Sequence, residues 1–218
     1  MVEKYIETIR PYVLELFKTE SSGHDISHLE RTTNTALYLQ KKEGGDRVII
    51  GLSAFLHDVH RVMENEVGHF VSPEESLDTI RNILSHVELT EEQVEKICYC
   101  VVNHEIYNWN GNNVDDINTL VLQDADNLDA IGAIGVARAF SFGGAHSIGM
   151  YDPAVPLNEA DDYSEGKGDV STIHHFYHKA FKLAEHMNTK TARELAEKKN
   201  QFMKVFVEEF MNDWNAIY

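Results

Sequence analysis

The chain has 218 residues with a formal net charge of −17, from 36 acidic and 19 basic side chains. That length suits one domain with a sizeable core, and an acidic surface of this strength repels nucleic-acid backbones, so a polymer partner is not expected. No run approaches the ~18 uninterrupted apolar residues of a membrane span, and Met1-Val2-Glu3-Lys4 leads into no apolar signal segment.

The first predicted element is a helix over Val2–Lys18, with apolar residues at Tyr5, Ile6, Ile9, Val13, Leu14, Leu16 and Phe17 despite Pro11. Thr19–Gly23 breaks it. Asp25 then caps a helix to about Lys42, closed by Gly44-Gly45. An apolar helix follows over Val48–His60. Ser72-Pro73-Glu74-Glu75 starts a helix to about Ser85, and Thr90-Glu91-Glu92-Gln93 starts one ending near His104. Cys98 and Cys100 lie inside that apolar helix. Their spacing is not that of a metal knuckle, and they read as buried thiols of a reducing cytoplasm.

Asn108–Asp116 is a polar loop, and Ile117–Ala139 reads as one helix. Gly143 to about Gly168 is a long acidic connection of lid-like length. Helices over Asp169–Met187 and Thr191–Trp214 close the chain, the last capped by Thr191 with Glu194. No period-two run of useful length occurs. The expected fold is all-α and one domain over 1–218, with a core of about 20–140, the loop 143–168 and C-terminal helices 169–218.

Three fragments place ionisable groups beside apolar helical sequence, where they are unfavourable unless paired or coordinated: Gly23-His24-Asp25-Ile26-Ser27-His28, Leu56-His57-Asp58, and Gln123-Asp124-Ala125-Asp126-Asn127-Leu128-Asp129. His24 and His28 fall one helical turn apart. His57 and Asp58 are adjacent, roughly 100° apart on a helix, yet both reach an ion lying beside it. Asp124 and Asp126 point to opposite sides, so only one can be a ligand. Asp129 shares a side with Asp126, which suits Asp126 as the ligand with Asp129 behind it, and leaves Asp124 to face solvent or cap a neighbour. A lone His-Asp pair is usually structural. Inward His and Asp from three apolar helices need a shared partner, and a divalent metal is one.

The pattern His, then His-Asp, then Asp on successive helices resembles the HD-domain superfamily of metal-dependent phosphohydrolases. Gly-His-Asp-x-x-His-x-x-Arg at 23–31, Leu-His-Asp at 56–58, the run 123–138, His175-Phe176-Tyr177-x-Lys179 and Met187-Asn188-Thr189 resemble one bacterial branch. The resemblance implies His28, His57, Asp58 and Asp126 as ligands of one divalent ion. It sets His24 and Asp25 beside the site as catalytic candidates with Asp58 and Arg31. Some relatives carry a glutamate three residues after the His-Asp aspartate. Here that position is Arg61, followed by Glu64 and Glu66, which leaves the water-aligning group open.

Imidazole and carboxylate ligands favour Mn²⁺, Fe²⁺, Co²⁺ or Ni²⁺ over Mg²⁺. Phosphoryl chemistry needs cations, and Arg31, one turn beyond His28, is the nearest in sequence. Arg31, His104, Arg138, His175 and Lys179 are the candidate substrate contacts, with Lys182 extending a stripe from His175 and Lys179. Tyr107, Trp109, Phe140 and Phe142 could stack on a base, though core packing explains aromatics more often. The expected activity is hydrolysis of a nucleotide, a deoxynucleoside triphosphate or monophosphate. Phosphodiester cleavage and a non-catalytic ligand-binding module are the alternatives. Monomer and homodimer stay open.

Overall fold

The computed structural model describes residues 1–18, 23–105, 114–157 and 170–217, and these are helical without a strand. The chain divides into two compact units, Met1–Asp126 and Asn127–Tyr218, a boundary inside the stretch taken from the sequence as one core.

The first unit contains α1 (Val2–Leu16), α2 (Ile26–Glu43), α3 (Arg47–Leu56), α4 (Val59–Val67), a 3₁₀ turn over Pro73–Ser76, α5 (Leu77–Leu84), α6 (Glu91–Val102) and the start of α7 (Ile117–Asp129). Helix α3 is its axis. Every residue from Ile49 to Leu56 is buried, and α1, α2 and α6 pack around it. An all-round apolar helix has no solvent face, so it must lie at the centre of the packing. Gly51 makes the close approach feasible: a Cβ there would lie 2.6 Å from Val2 Cγ2 and 3.2 Å from Leu37 Cδ2.

Caps fix where the site-bearing helices begin. Asp25 accepts from the His28 backbone N–H at 2.9 Å, as expected of it, and Asp46 accepts from Val48 and Ile49 at 2.8 and 3.1 Å. The Asp46 N–H in turn donates to Asn118 Oδ1 at 2.7 Å, tying the start of α3 to the start of α7. Thr90 and Gln93 form the capping box read from the sequence.

The expected helix Val48–His60 is two helices. α3 stops at Leu56, Asp58 leaves the helical region (φ −95°, ψ 14°), and α4 begins at Val59. The Ile117–Ala139 reading also divides, because Ile131 is extended and Gly132 takes φ +75°, a left-handed value suited to glycine.

The second unit holds α8 (Gly132–Ala145), α9 (Thr172–His175), a π turn over Phe176–Ala180, α10 (Phe181–Leu183), a 3₁₀ turn over Ala184–His186 and α11 (Lys190–Trp214). Helix α8 packs on α11, and Phe140, Phe206 and Phe210 meet between them with ring centroids 5.9–6.4 Å apart. Because α8 runs to Ala145, Gly143 lies within a helix and not in the following connection. The cap of α11 is Thr189, which accepts from the Ala192 N–H at 3.3 Å, not Thr191. Among the described residues no helix is long and apolar enough to cross a membrane. Cys98 and Cys100 are buried free thiols.

Candidate metal centre

The break between α3 and α4 puts both halves of the His-Asp pair at one point. His57 ends α3 with its Nδ1 2.9 Å from the Ala54 carbonyl, so that nitrogen carries the proton and Nε2 presents a lone pair inward. The turn at Asp58 brings Asp58 Oδ2 to 3.6 Å from His57 Nε2. From α2, His28 Nε2 reaches 3.1 Å from His57 Nε2 and 3.2 Å from Asp58 Oδ2. From α7, Asp126 Oδ1 lies 3.4 Å from His28 Nε2 and 3.7 Å from His57 Nε2.

With metal–ligand bonds of about 2.1 Å, ligand atoms about 3.0–3.4 Å apart are neighbours on an octahedral or tetrahedral ion. The spacings found here, 3.1–3.7 Å, are of that size. His28 and His57 are wholly buried, Asp58 nearly so, and the Asp126 side chain is 27% exposed, which leaves one side of the cluster open. The donor set fits a divalent cation.

Electrostatics agree. Burial works against ionised Asp58, but His57 and His24 outweigh it and hold its carboxyl well below the usual range. Burial is likewise overcome at Asp126, by the His28 and His57 imidazoles beside its carboxylate. Burial alone would lower His57; the Asp58 and Asp126 carboxylates raise it instead. Both carboxylates are therefore ionised at neutral pH.

Around this cluster, His24 Nδ1 lies 2.8 Å from Asp58 Oδ2, and its side chain is 33% exposed. Asp25 caps α2 through the N–H of His28 itself. Arg31 lies one turn after His28, partly buried. His104 is drawn in but buried, its Nδ1 on the Val101 carbonyl and its Nε2 4.0 Å from Asp58 Oδ1. Asp124 is fully buried, so of its two expected placements the solvent-facing one is excluded.

Arg138, His175 and Lys179 belong to the second unit. Arg138 donates to Asp129 at 3.0 Å, so the residue expected to stand behind Asp126 partners a guanidinium. The π turn Phe176–Ala180 interrupts the straight helix on which the His175–Lys179–Lys182 stripe rested. Phe140 packs in the aromatic cluster with Phe206 and Phe210, and Phe142 stacks on His146 at 3.9 Å. Tyr107 and Trp109 lie outside the described residues.

Glu105 escaped the sequence reading. It is largely buried and bonded to Arg61, with Oε1 3.5 Å from His60 Nε2 and 3.8 Å from His104 Nε2. Burial opposes its ionisation, yet His60, His104 and Arg61 bring its carboxyl down to about 2. The signal available was His104-Glu105 after the apolar Val101-Val102, the same logic that drew attention to His57-Asp58.

A sequence profile of the HD domain matches residues 25–131. The chain is 33% identical to YpgQ of Bacillus subtilis over 214 residues, covering 96% of this chain and 94% of that one. The crystal structure of an HD-superfamily hydrolase from Bacillus thuringiensis is similar at a TM-score of 0.75 and 32% identity, with 99% of this chain and all of that one covered. YpgQ crystallised in complex with ADP is similar at a TM-score of 0.71 and 32% identity, over 95% of this chain and 96% of that one. Fold, profile and relatives agree with the histidine–aspartate cluster: the chain belongs to the HD-domain superfamily of metal-dependent phosphohydrolases.

Proposed function

We propose that the chain hydrolyses a nucleotide, a deoxynucleoside triphosphate or monophosphate, at a divalent ion held by His28, His57, Asp58 and Asp126. The observation that carries this is the convergence of four ligand atoms from α2, the α3–α4 break and α7 at separations of 3.1–3.7 Å. Support for a nucleotide comes from the relative that binds ADP.

A divalent ion in such a site supplies a polarised water and neutralises charge on a phosphate oxygen. The protein's own groups do the rest. The Ala54 carbonyl fixes the tautomer of His57, and Asp25 fixes the first turn of α2 that carries His28. His24 steadies the Asp58 carboxylate while keeping a third of its side chain in solvent, so it is the imidazole suited to meet a phosphate oxygen or exchange a proton. Arg31 supplies positive charge on the same helix. Imidazole and carboxylate ligands suit Mn²⁺, Fe²⁺, Co²⁺ or Ni²⁺.

The test is a release assay across deoxynucleoside tri- and monophosphates with Mn²⁺, Co²⁺, Ni²⁺ and Mg²⁺. Pyrophosphate from triphosphates, or phosphate from monophosphates, supports the reading and locates the bond. Turnover confined to phosphodiesters, or no turnover with any metal, overturns it.

A further inference from the structure

The two histidines of the cluster are held in different ways. Beneath His57 the partner of Nδ1 is a backbone carbonyl, that of Ala54, which only accepts. His28 Nδ1 faces a side chain instead. Thr32 Oγ1, one turn on in α2, lies 3.4 Å away, and both residues are wholly buried. A threonine inside a helix ordinarily turns its hydroxyl to the carbonyl four residues back, as Thr8 does toward Lys4 at 2.9 Å. Thr32 turns its own toward the imidazole. Thr33, the next residue, supplies the contrast: it is buried in the same helix, about 100° further round, and its Oγ1 has no hydrogen-bond partner.

An imidazole that offers Nε2 as a ligand must carry its proton on Nδ1, and in a buried place that proton needs an acceptor. His28 Nε2 stands 3.1 Å from His57 Nε2, 3.2 Å from Asp58 Oδ2 and 3.4 Å from Asp126 Oδ1. We infer that Thr32 is the positioning residue of His28: its hydroxyl oxygen accepts the Nδ1 proton and so turns the Nε2 lone pair toward the cluster. The contact is long for a hydrogen bond, so it contributes to the aim and tautomer of the ring more than to the stability of the fold. Of the two imidazoles this is the one whose orientation a point substitution can release, since no substitution removes the Ala54 carbonyl. The inference rests on His28 being a ligand, as in the proposed function.

The experiment is Mn²⁺ titration by calorimetry of metal-stripped, full-length wild type, Thr32→Val, Thr32→Ser, Thr33→Val and His28→Gln. The His28 Nδ1–H proton is followed by nuclear magnetic resonance in the Zn²⁺-loaded forms, and circular dichroism checks folding. Valine keeps the shape of threonine, and serine keeps its hydroxyl. Thr32→Val is expected to bind Mn²⁺ about 10-fold more weakly and to lose the downfield Nδ1–H signal of a hydrogen-bonded imidazole. Thr32→Ser and Thr33→Val are expected to bind as wild type and to keep that signal. Wild-type affinity in Thr32→Val, or equal weakening in Thr32→Ser and Thr32→Val, overturns the role of Thr32 and leaves the four-ligand site standing. Undiminished binding in His28→Gln, or no binding by wild type, overturns the ligand assignment and the role of Thr32 with it.

Discussion

The guanidinium of Arg61 grips the carboxylate of Glu105, 44 residues away, while its other terminal nitrogen reaches Glu64 at 3.0 Å. The position where some relatives carry an acid therefore holds the cation that fixes another acid in place. Arg61→Ala takes from Glu105 the cation bonded to it in a largely buried setting and should destabilise the fold by about 2 kcal/mol. Arg61→Glu, which would restore the glutamate by sequence logic, should be worse, because it sets like charges together. Urea denaturation of the two variants beside wild type checks the order.

Removing His24 strips Asp58 of the partner at 2.8 Å but removes no residue of the four-ligand set. His24→Ala is expected to lower turnover roughly 10- to 100-fold with bound metal unchanged. Loss of metal to the same extent as in Asp126→Ala would make His24 a ligand instead. Elemental analysis beside the release assay separates the two.

Stability of the metal-free protein should fall on acidification through the window set by His104. Its folded pKa of about 4 lies below the ordinary value of 6.5, so the unfolded chain binds the extra proton between them. The contribution is fully present above pH 6.5 and is lost as pH falls toward 4. Between pH 7 and pH 5 it amounts to about 2 kcal/mol, on the scale of 1.36 kcal/mol per unit. His57, whose pKa is raised, acts in the opposite sense: its contribution is present below its ordinary pKa and lost as pH rises through the folded one. His104→Gln isolates the His104 part, and the measured quantity is the difference in urea-derived stability between variant and wild type at the two pH values. A difference independent of pH would contradict it.

Two caps distinguish stability from function. Asp25→Ala and Asp46→Ala should each cost about 1 kcal/mol, since each carboxylate accepts from backbone N–H groups at a helix start. Only Asp25→Ala should also lower activity beyond what stability explains, because the N–H it holds is that of His28. Thermal melts and turnover at a temperature well below both midpoints test this.

Gly135→Ala addresses the second unit. A Cβ there would lie 2.3 Å from the Ala130 carbonyl oxygen, a backbone atom that cannot swing aside. Destabilisation of about 1–3 kcal/mol is expected, whereas Gly144→Ala, which meets nothing within 4 Å, should be neutral or slightly stabilising.

Much of the site could be read from the sequence because its chemistry is concentrated in short segments. His28, His57, Asp58 and Asp126 stand beside apolar runs, and buried charge there is conspicuous. The caps at Asp25, Ser72 and Thr90 were visible for the same reason: local hydrogen-bonding rules act over three or four residues. What escaped depends on contacts between distant segments or on single dihedral angles. Nothing near Glu105 announces Arg61, and periodicity runs through Ile131–Gly132 although Gly132 turns the backbone to φ +75°. The break at Asp58 was hidden likewise, since Val48–Leu56 is almost wholly apolar and a helical pattern does not record one residue stepping out of it. The His175–Lys179–Lys182 stripe was read on a straight helix, and periodicity did not announce the π turn over Phe176–Ala180 beneath it.

That step at Asp58 also bears on how such a chain can change. Because α3 ends at Leu56 and α4 begins at Val59, His57 and Asp58 sit in a two-residue joint that no helical ladder enforces. Length changes beyond Gly68, which closes α4 in a left-handed conformation, would leave the joint alone. Inserting or deleting one residue between Leu56 and Val59 would rotate everything after it and disturb the convergence of His57 and Asp58 with His28 and Asp126. Segments outside the site can therefore drift in length and sequence, while this joint is held to a fixed residue count.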